Sequence, residues 1–145
     1  MNSLSEAVAV VAVIDPDARA PGTIATSWLS MANYQSLMAV IMAGDLGVNA
    51  AIDAKLQQAR DASGTGVKDV AGKAIMQLHQ AGTDSSRKQA VINLRADELD
   101  RNGGYTHVRL AMTTAVATSD TGALVLAASP RYGAAPATTV AEIVA

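Results

Sequence analysis

A glycine-rich stretch, GTGVKDVAGKA at residues 64–74, has the residue types of a phosphate-binding loop. Such a loop needs Gly, four residues, Gly, Lys and then Ser or Thr, because backbone N–H groups cradle the phosphates and the hydroxyl group holds Mg²⁺. Here five residues separate Gly66 from Gly72, and Ala74 stands where the hydroxyl group is required. We therefore interpret the stretch as a glycine-rich surface loop and expect it to bind no nucleotide.

The titratable residues show no metal-binding or acid–base pattern. His79 and His107 have no metal-ligand spacing such as HExxH, and His107 falls on the polar side of an alternating stretch. The cluster of Asp97, Glu98 and Asp100 lacks the alternating ligands and distant Glu of a calcium loop. We interpret it as an acidic turn with one helical turn beginning at Asp97, and we expect no metal ion.

Nucleophile and cofactor motifs are also missing from the sequence. There is no Cys and no G-x-S-x-G, and GTGVKD lacks the third glycine of a dinucleotide fingerprint. The sequence therefore predicts a protein that is not an enzyme and needs no cofactor. A site assembled between subunits would leave no such pattern, so that one alternative stays open.

The elements that would position these residues are mostly short extended segments. Residues 89–95 and 105–117 alternate apolar and polar side chains, residues 7–14 form a β-branched run, and turn clusters such as DPDARAPG, DRNGG and SDTG lie between segments. About eight segments of this kind predict an all-β domain, a β-sandwich or jelly-roll-like fold with short helical turns. The competing interpretation is an α+β domain with helices near 50–60 and 70–80, because residues 51–59 and 70–80 fit either helix or strand.

Length and composition restrict the class of protein. The chain has 145 residues, which suits one domain, and its net charge of −2 gives no basic field for nucleic acid. The apolar run at 7–14 is too short to span a bilayer, so we expect no membrane partner. A signal peptide needs positive charge before such a run, but the only charged side chain there is Glu6, so we expect no signal peptide. Half of the residues are apolar, but Phe is absent and much of this apolar half is Ala. Such a thin core favours stabilisation by assembly.

Three segments in order resemble a known group of proteins: SWLSMANYQSLMAVIMAGDLG, KLQQARDASGTGVKDVAGKAI, and AVINLRADELDRNGG with the YTHVRL strand and PRYG that follow. Together they resemble small structural proteins encoded in the head and neck gene clusters of tailed phages and of prophages in GC-rich bacteria. The resemblance implies a virion component made of β structure, and it favours a strand over a helix at residues 51–59.

With this resemblance, the sequence predicts a capsid cement or decoration protein that bridges capsid subunits as a homo-oligomer. Its partner would be the major capsid protein or another virion protein, and it would be made in the bacterial cytoplasm. A neck or tail ring protein, and a small ligand-binding or enzymatic β-barrel, are the alternatives. Large side chains are the natural interface anchors. The candidates are Trp28, Tyr34, Tyr105, Arg131, Tyr132 and Ile143.

The C-terminal end is predicted to be a contact arm. Pro130 and Pro136 oppose continued pairing, yet Val140, Ile143 and Val144 are apolar and need cover. We expect a β domain at residues 1–133 and an arm at 134–145. The alternative is that this segment packs on its own sandwich as a last strand.

Overall fold

The computed structural model of the protein describes residues 3–130 and 140–144. Two of the expected contact residues, Arg131 and Tyr132, lie outside this range, as does most of the expected arm. The described part contains a short helix α1 (Leu4–Ala7) and a 3₁₀ turn (Ala96–Glu98). Its strands are β1 (Val8–Arg19), β2 (Gly22–Ala25), β3 (Leu29–Ser30), β4 (Tyr34–Ala43), β5 (Ala51–Ala59), β6 (Lys68–Ala74), β7 (Leu78–His79), β8 (Gln89–Arg95), β9 (His107–Ala115) and β10 (Ser119–Pro130).

The strands form two antiparallel sheets. Sheet A has the order β1-β10-β4-β8, and sheet B has the order β2-β9-β5-β6, with β3 also paired to β9 and β7 to β5. Strands far apart in sequence are neighbours, as β1 and β10 are, and the connections cross between the sheets. The fold is an all-β sandwich of the jelly-roll kind with short helical turns, which confirms the predicted class.

The core lies between the sheets because side chains alternate across each strand. Both sheets contribute aliphatic side chains that are almost completely buried: Leu37, Ile41, Ile92, Leu94 and Val125 from sheet A, and Ile52, Leu56, Val108, Leu110 and Met112 from sheet B. Alanines such as Ala39, Ala54 and Ala123 fill the positions between them. The interior is therefore packed with small and medium side chains.

Both ambiguous segments are strands. Strand β5 pairs along its whole length with β9, so residues 51–59 alternate with period two and Asp53, Lys55 and Gln57 face outward. The segment at 70–80 becomes β6 and β7, which both pair with β5. The α+β alternative is therefore wrong, because tertiary pairing overrides a helix propensity that was weak.

Two predicted turns are wrong. Strand β1 continues through DPDAR to Arg19, and the register shifts between Ile14 and Asp17, so that Pro16 falls in a bulge where no ladder hydrogen bond is needed. The SDTG cluster lies inside β10, and the chain reverses just before it, where Val116 has a φ of 73°. In the described residues, no helix is long and apolar enough to cross a membrane.

Candidate functional site

The glycine-rich stretch is divided between a turn and a strand. Gly64 and Gly66 lie in the turn that joins β5 to β6, whereas Gly72 and Lys73 belong to β6. Lys73 Nζ is 3.0 Å from Glu98 Oε1 and is thus held by its own chain. The glycine N–H groups are therefore divided between a turn and an extended strand, which is unlike the cradle at a helix N-terminus that holds phosphate. The surface-loop interpretation is right for residues 64–67 and wrong for 68–74.

The two histidines lie at opposite ends of β5. His79 pairs with Ala51, and His107 pairs with Ala59. His79 Nδ1 is 2.7 Å from the Ala81 carbonyl oxygen, and His107 Nδ1 is 2.9 Å from the neighbouring Thr106 hydroxyl. The histidines therefore cannot act together, and His107 lies on an outward face as expected.

Asp97 and Glu98 support the turn that follows β8. Asp97 Oδ1 lies 3.1 Å from Arg95 Nε, and Glu98 accepts a 2.7 Å hydrogen bond from the Arg95 backbone N–H. This hydrogen bond, together with Lys73, holds the pKa of Glu98 below its usual range. The predicted helical turn is present and begins at Ala96, one residue early. Within residues 3–130 and 140–144, no group of three or more His, Asp or Glu side chains could hold a metal ion.

Tyr105 joins the β5–β6 turn to the loop before β9. It is 7% exposed, and its hydroxyl group donates a 2.7 Å hydrogen bond to the Gly66 carbonyl oxygen. Lys68 Nζ and the Arg60 guanidinium group lie 4.3 Å and 5.1 Å from the ring centroid. Lys68 also contacts Asp100 Oδ2 at 2.6 Å. In the single chain, Tyr105 is thus an internal anchor of two loops.

We expect Asp100 to contribute to the acid sensitivity of the fold. A hydrogen bond from Lys68 Nζ and one from the Gly103 backbone N–H hold the pKa of its carboxyl group below the usual value. Such a group stabilises the fold above the unfolded pKa of about 4, and this contribution is lost as the pH falls through the folded pKa. Urea midpoints measured from neutral pH to about pH 3 should therefore fall less steeply in Asp100→Asn than in the unchanged protein. Parallel pH profiles would contradict this assignment.

Trp28 lies outside the core, half-buried on the outer side of sheet B. The Arg109 guanidinium group is 4.6 Å from its ring. Gly64 packs against the indole edge, where an added Cβ would come within 2.8 Å of Nε1. The ring therefore keeps part of its surface available to a partner.

The other candidate contact residues differ in exposure. Tyr34 is the first residue of β4 and pairs with Pro130. It is 9% exposed, and this burial raises the pKa of its hydroxyl group. Ile143 is 47% exposed. In the single chain, Trp28 and Ile143 can reach a partner, while Tyr34 and Tyr105 are covered. The role of each as a contact stays a prediction.

The outer face of sheet B is polar, and we call it the polar face. Arg109 Nε donates to Gln57 Oε1 at 2.9 Å, and both Gln57 Nε2 and Lys55 Nζ donate to the Asp69 carboxylate, at 3.3 Å and 3.0 Å. Arg109, Gln57 and Lys55, with Thr23 and others, line a groove of about 500 Å³. Because the polar groups bond one another, the groove has the character of a solvated sheet surface.

The outer face of sheet A is apolar, which is unusual for a sandwich surface. Its registers place Leu126 between Val10 and Met38, and Leu124 between Val13 and Val40. We use the name apolar face for the ten outward apolar residues of this sheet, which are Val8, Val10, Val13, Met38, Val40, Met42, Val91, Leu124, Leu126 and Ala128. Val13, Met42 and Val91 are 40%, 42% and 50% exposed, so this face is open to solvent.

The apolar face was not predicted from the sequence. The signal was the lack of alternation in the runs that became β1, β4 and β10, where both sides of the strand are apolar. In an antiparallel sandwich, one side of a strand normally faces water and is polar. A strand that is apolar on both sides therefore indicates a second surface that needs cover.

Comparisons with known proteins identify the fold. No family model and no curated protein matches the sequence. A chain of the cryo-EM structure of Broad Bean Stain Virus aligns with a TM-score of 0.50 and 11% identity, over 95% of this chain and 92% of that chain. At this identity the likeness concerns the fold alone.

Two weaker matches also come from virus structures. A chain of infectious bursal disease virus, Gt strain, has a TM-score of 0.46 and 13% identity, over 90% of this chain and 34% of that one. A chain of the Cowpea mosaic virus top component has a TM-score of 0.43 and 9% identity, over 96% of this chain and 89% of that one.

Proposed function

We propose that the protein is a non-enzymatic structural protein of a virion. More narrowly, we propose a capsid cement or decoration protein of a tailed phage. The observation that carries this proposal is the apolar face. A contiguous apolar surface of ten residues on four strands is typical of a protein that assembles with others. The sandwich fold, which is similar to a chain of Broad Bean Stain Virus, supports the same conclusion. So does the resemblance of three segments to phage structural proteins.

Assembly itself would be the function in this proposal. Each copy would bridge neighbouring capsid subunits, and the apolar area removed from water at each contact would add to the stability of the shell. The partners would be the major capsid protein or another virion protein, and further copies of this chain. The protein would reach the virion after synthesis in the bacterial cytoplasm. No nucleic acid, membrane or cofactor takes part.

We also propose that residues 134–145 form the arm that reaches the shell, outside a β domain at residues 1–133. Strand β10, which lies between β1 and β4, ends at Pro130 opposite Tyr34, the first residue of β4. Beyond it, Val140, Ile143 and Val144 are 38%, 47% and 84% exposed. Apolar side chains left this open in one chain support a contact with another.

Cosedimentation with purified capsid particles tests both proposals. We expect full-length protein to sediment with the particles in many copies. Deletion of residues 134–145 should leave the melting temperature unchanged and reduce particle binding at least about tenfold, the effect of one to two kcal/mol of lost contact. A full-length control with Val140, Ile143 and Val144 replaced by Ser separates the apolar contacts from chain length.

Each other outcome would contradict a part of the proposal. Absence of the full-length protein from particles would exclude the virion role. A truncated chain that unfolds would show that the segment belongs to its own core, and one that binds undiminished would exclude the arm. A low copy number at one vertex would identify a neck or tail ring protein instead of a cement protein.

A further inference from the structure

We infer that residues 140–144 of one copy, which we call the C-terminal segment, pair with β8 of another copy as an additional strand of sheet A. This pairing rests on the arm proposed above and specifies the surface that the arm contacts. On the shell, the arm of each copy then links it to the next copy. Strand β8 is the acceptor because its open edge is unprotected, and the C-terminal segment is the donor because its polarity fits that edge.

Strand β8 is the long unprotected edge among the strands that the structure describes. Edge strands expose unpaired N–H and C=O groups, and proteins protect them with bulges, proline, charge or short length. The opposite edge of sheet A, β1, has two register shifts, Pro16 and three charged side chains. In sheet B, β2, β3 and β7 have four residues or fewer, and the register of β6 shifts. By contrast, β8 pairs with β4 over seven residues without a shift, and its one charge is Arg95 at the end.

The open edge of β8 offers a regular row of backbone groups. The Lys88 carbonyl oxygen accepts a 2.9 Å hydrogen bond from the Ala43 N–H group, so β8 bonds β4 through its even-numbered residues. Its odd-numbered residues therefore turn their N–H and C=O groups to the open side, where the described residues place no further strand. Accordingly, the Arg95 N–H group donates to the Glu98 carboxylate and not to β4. The N–H groups left for an added strand are those of Gln89, Val91 and Asn93.

A strand added at this edge must be apolar on both sides. On the core side, Ile92 is buried, but Ala90 packs against the core and is only partly buried. On the outer side, Val91 ends the apolar face and is 50% exposed. The added strand would therefore cover the core on one side and continue the apolar face on the other.

The C-terminal segment has this polarity. Five of the seven residues at 138–144 are β-branched, which favours an extended strand. With Glu142 on the outer side, period-two alternation also places Val140 and Val144 there, where they continue the apolar face. The same alternation places Ile143 on the core side, beside the partly buried part of the core.

Another copy supplies the donor because the segment is unpaired in the single chain. Residues 140–144 are all exposed and belong to no strand, so they do not cover the chain's own β8. The nine residues between Pro130 and Val140 allow a span of about 33 Å at most. The distance from β10 across β4 to the open side of β8 is about 15 Å, or three strand spacings. The arm is thus long enough to pass the edge of its own sheet and reach that of a neighbour.

Two full-length variants separate the acceptor from the donor. Val91→Pro removes an edge N–H group that β4 does not use, so the fold should tolerate it while the added strand is blocked. A chain with Val140, Ile143 and Val144 replaced by Ser keeps β8 and loses the donor strand. In sedimentation velocity, the dissociation constant of each variant alone should rise at least about tenfold.

Mixing the two variants tests pairing between copies directly. An equimolar mixture should associate again and stop at a 1:1 complex, because it combines one intact donor with one intact acceptor. Met42→Glu, at a 42% exposed position on β4 away from the open edge, should associate like the unchanged protein. Circular dichroism of each variant confirms that the chain is folded.

Three results of these experiments would overturn the inference. One is an unchanged protein that is monomeric at about 100 µM, well above ordinary interface affinities. Another is a mixture that stays monomeric. The third is association that Met42→Glu abolishes and Val91→Pro leaves intact, which would identify the apolar face as the contact.

Hydrogen exchange of the unchanged protein is a second test that needs no variant. The N–H groups of Gln89, Val91 and Asn93 should exchange more slowly as the protein concentration rises, while that of Ile92, which bonds β4, stays protected throughout. Protection that does not depend on concentration would show that each segment covers its own β8. Rapid exchange at every concentration would show that the edge stays open. Either result would contradict pairing between copies.

Particle binding distinguishes failure of this inference from failure of the proposed function. If the two variants complement each other but the protein never sediments with capsid particles, the strand pairing stands and the virion role is wrong. If the protein sediments with particles but is monomeric and its β8 edge is never protected, the virion role stands and the strand pairing is wrong.

Discussion

Leu110→Ala should lower the free energy of unfolding by about 2 to 5 kcal/mol, the usual range for a leucine that is truncated in a core. Leu110 is completely buried on the inner side of β9, opposite Leu56 of β5. Its backbone N–H donates to the Thr26 hydroxyl group at 3.1 Å, which holds this part of β9 in place. Because the backbone cannot move inward, the space that the side chain leaves should persist as a cavity.

The composition of the core places this effect toward the upper part of the range. The chain has no Phe, and alanines occupy many of the positions between the sheets. An alanine has no flexible side chain that could turn into a new cavity, so relaxation is limited. Urea denaturation with Leu4→Ala as the control measures the difference, because Leu4 is 77% exposed and its truncation should change the stability little. A loss below about 1 kcal/mol for Leu110→Ala would contradict the packing described here.

Gly64→Ala should destabilise the protein by about 2 kcal/mol or more, through two separate costs. Gly64 has a φ of 85°, a conformation that costs an L-residue about 1 kcal/mol. The added Cβ would also lie 2.8 Å from Trp28 Nε1, so the indole ring must shift. The shift would move Trp28 relative to the Arg109 guanidinium group and add to the loss.

Gly82→Ala is the matched control for the backbone cost alone. Gly82 has a φ of 76°, and nothing lies within 4 Å of its added Cβ. We expect it to lose about 1 kcal/mol. Trp28 is the one tryptophan of the chain, so its fluorescence reports the second cost directly. The emission should change in Gly64→Ala and stay constant in Gly82→Ala. Equal losses of stability and unchanged emission in both variants would show that the ring does not rest on Gly64.

The strands that the sequence predicted correctly are those with a clear alternation. In β8, Ile92 and Leu94 alternate with Val91, Asn93 and Arg95, and the structure buries only the first two. The segment at 51–59 was ambiguous because its apolar residues fit both a helical and an extended period. Only its pairing with β9 decides the strand, and a single sequence does not contain that pairing.

The candidate contact residues were found by size alone, and size did not predict exposure. Tyr105 is an aromatic residue on a predicted strand, but the structure places it before β9 and buries it against Gly66. Trp28 was a candidate contact residue, and it lies half-buried on an outer face beside Arg109. Such positions depend on loops that meet across the fold, which residue type does not reveal.

The sequence by itself determined the class of the fold, the approximate positions of the strands and the lack of a recognisable catalytic motif, because these depend on local periodicity and residue type. The tertiary structure alone decided that the outward sides of β1, β10, β4 and β8 form one apolar face. Val8 and Ala128 are neighbours there although they belong to the first and the last strand of the sequence. Each run of apolar residues is compatible with burial on either side. Long-range strand pairing selects which side faces the core, and so which side is left for a partner.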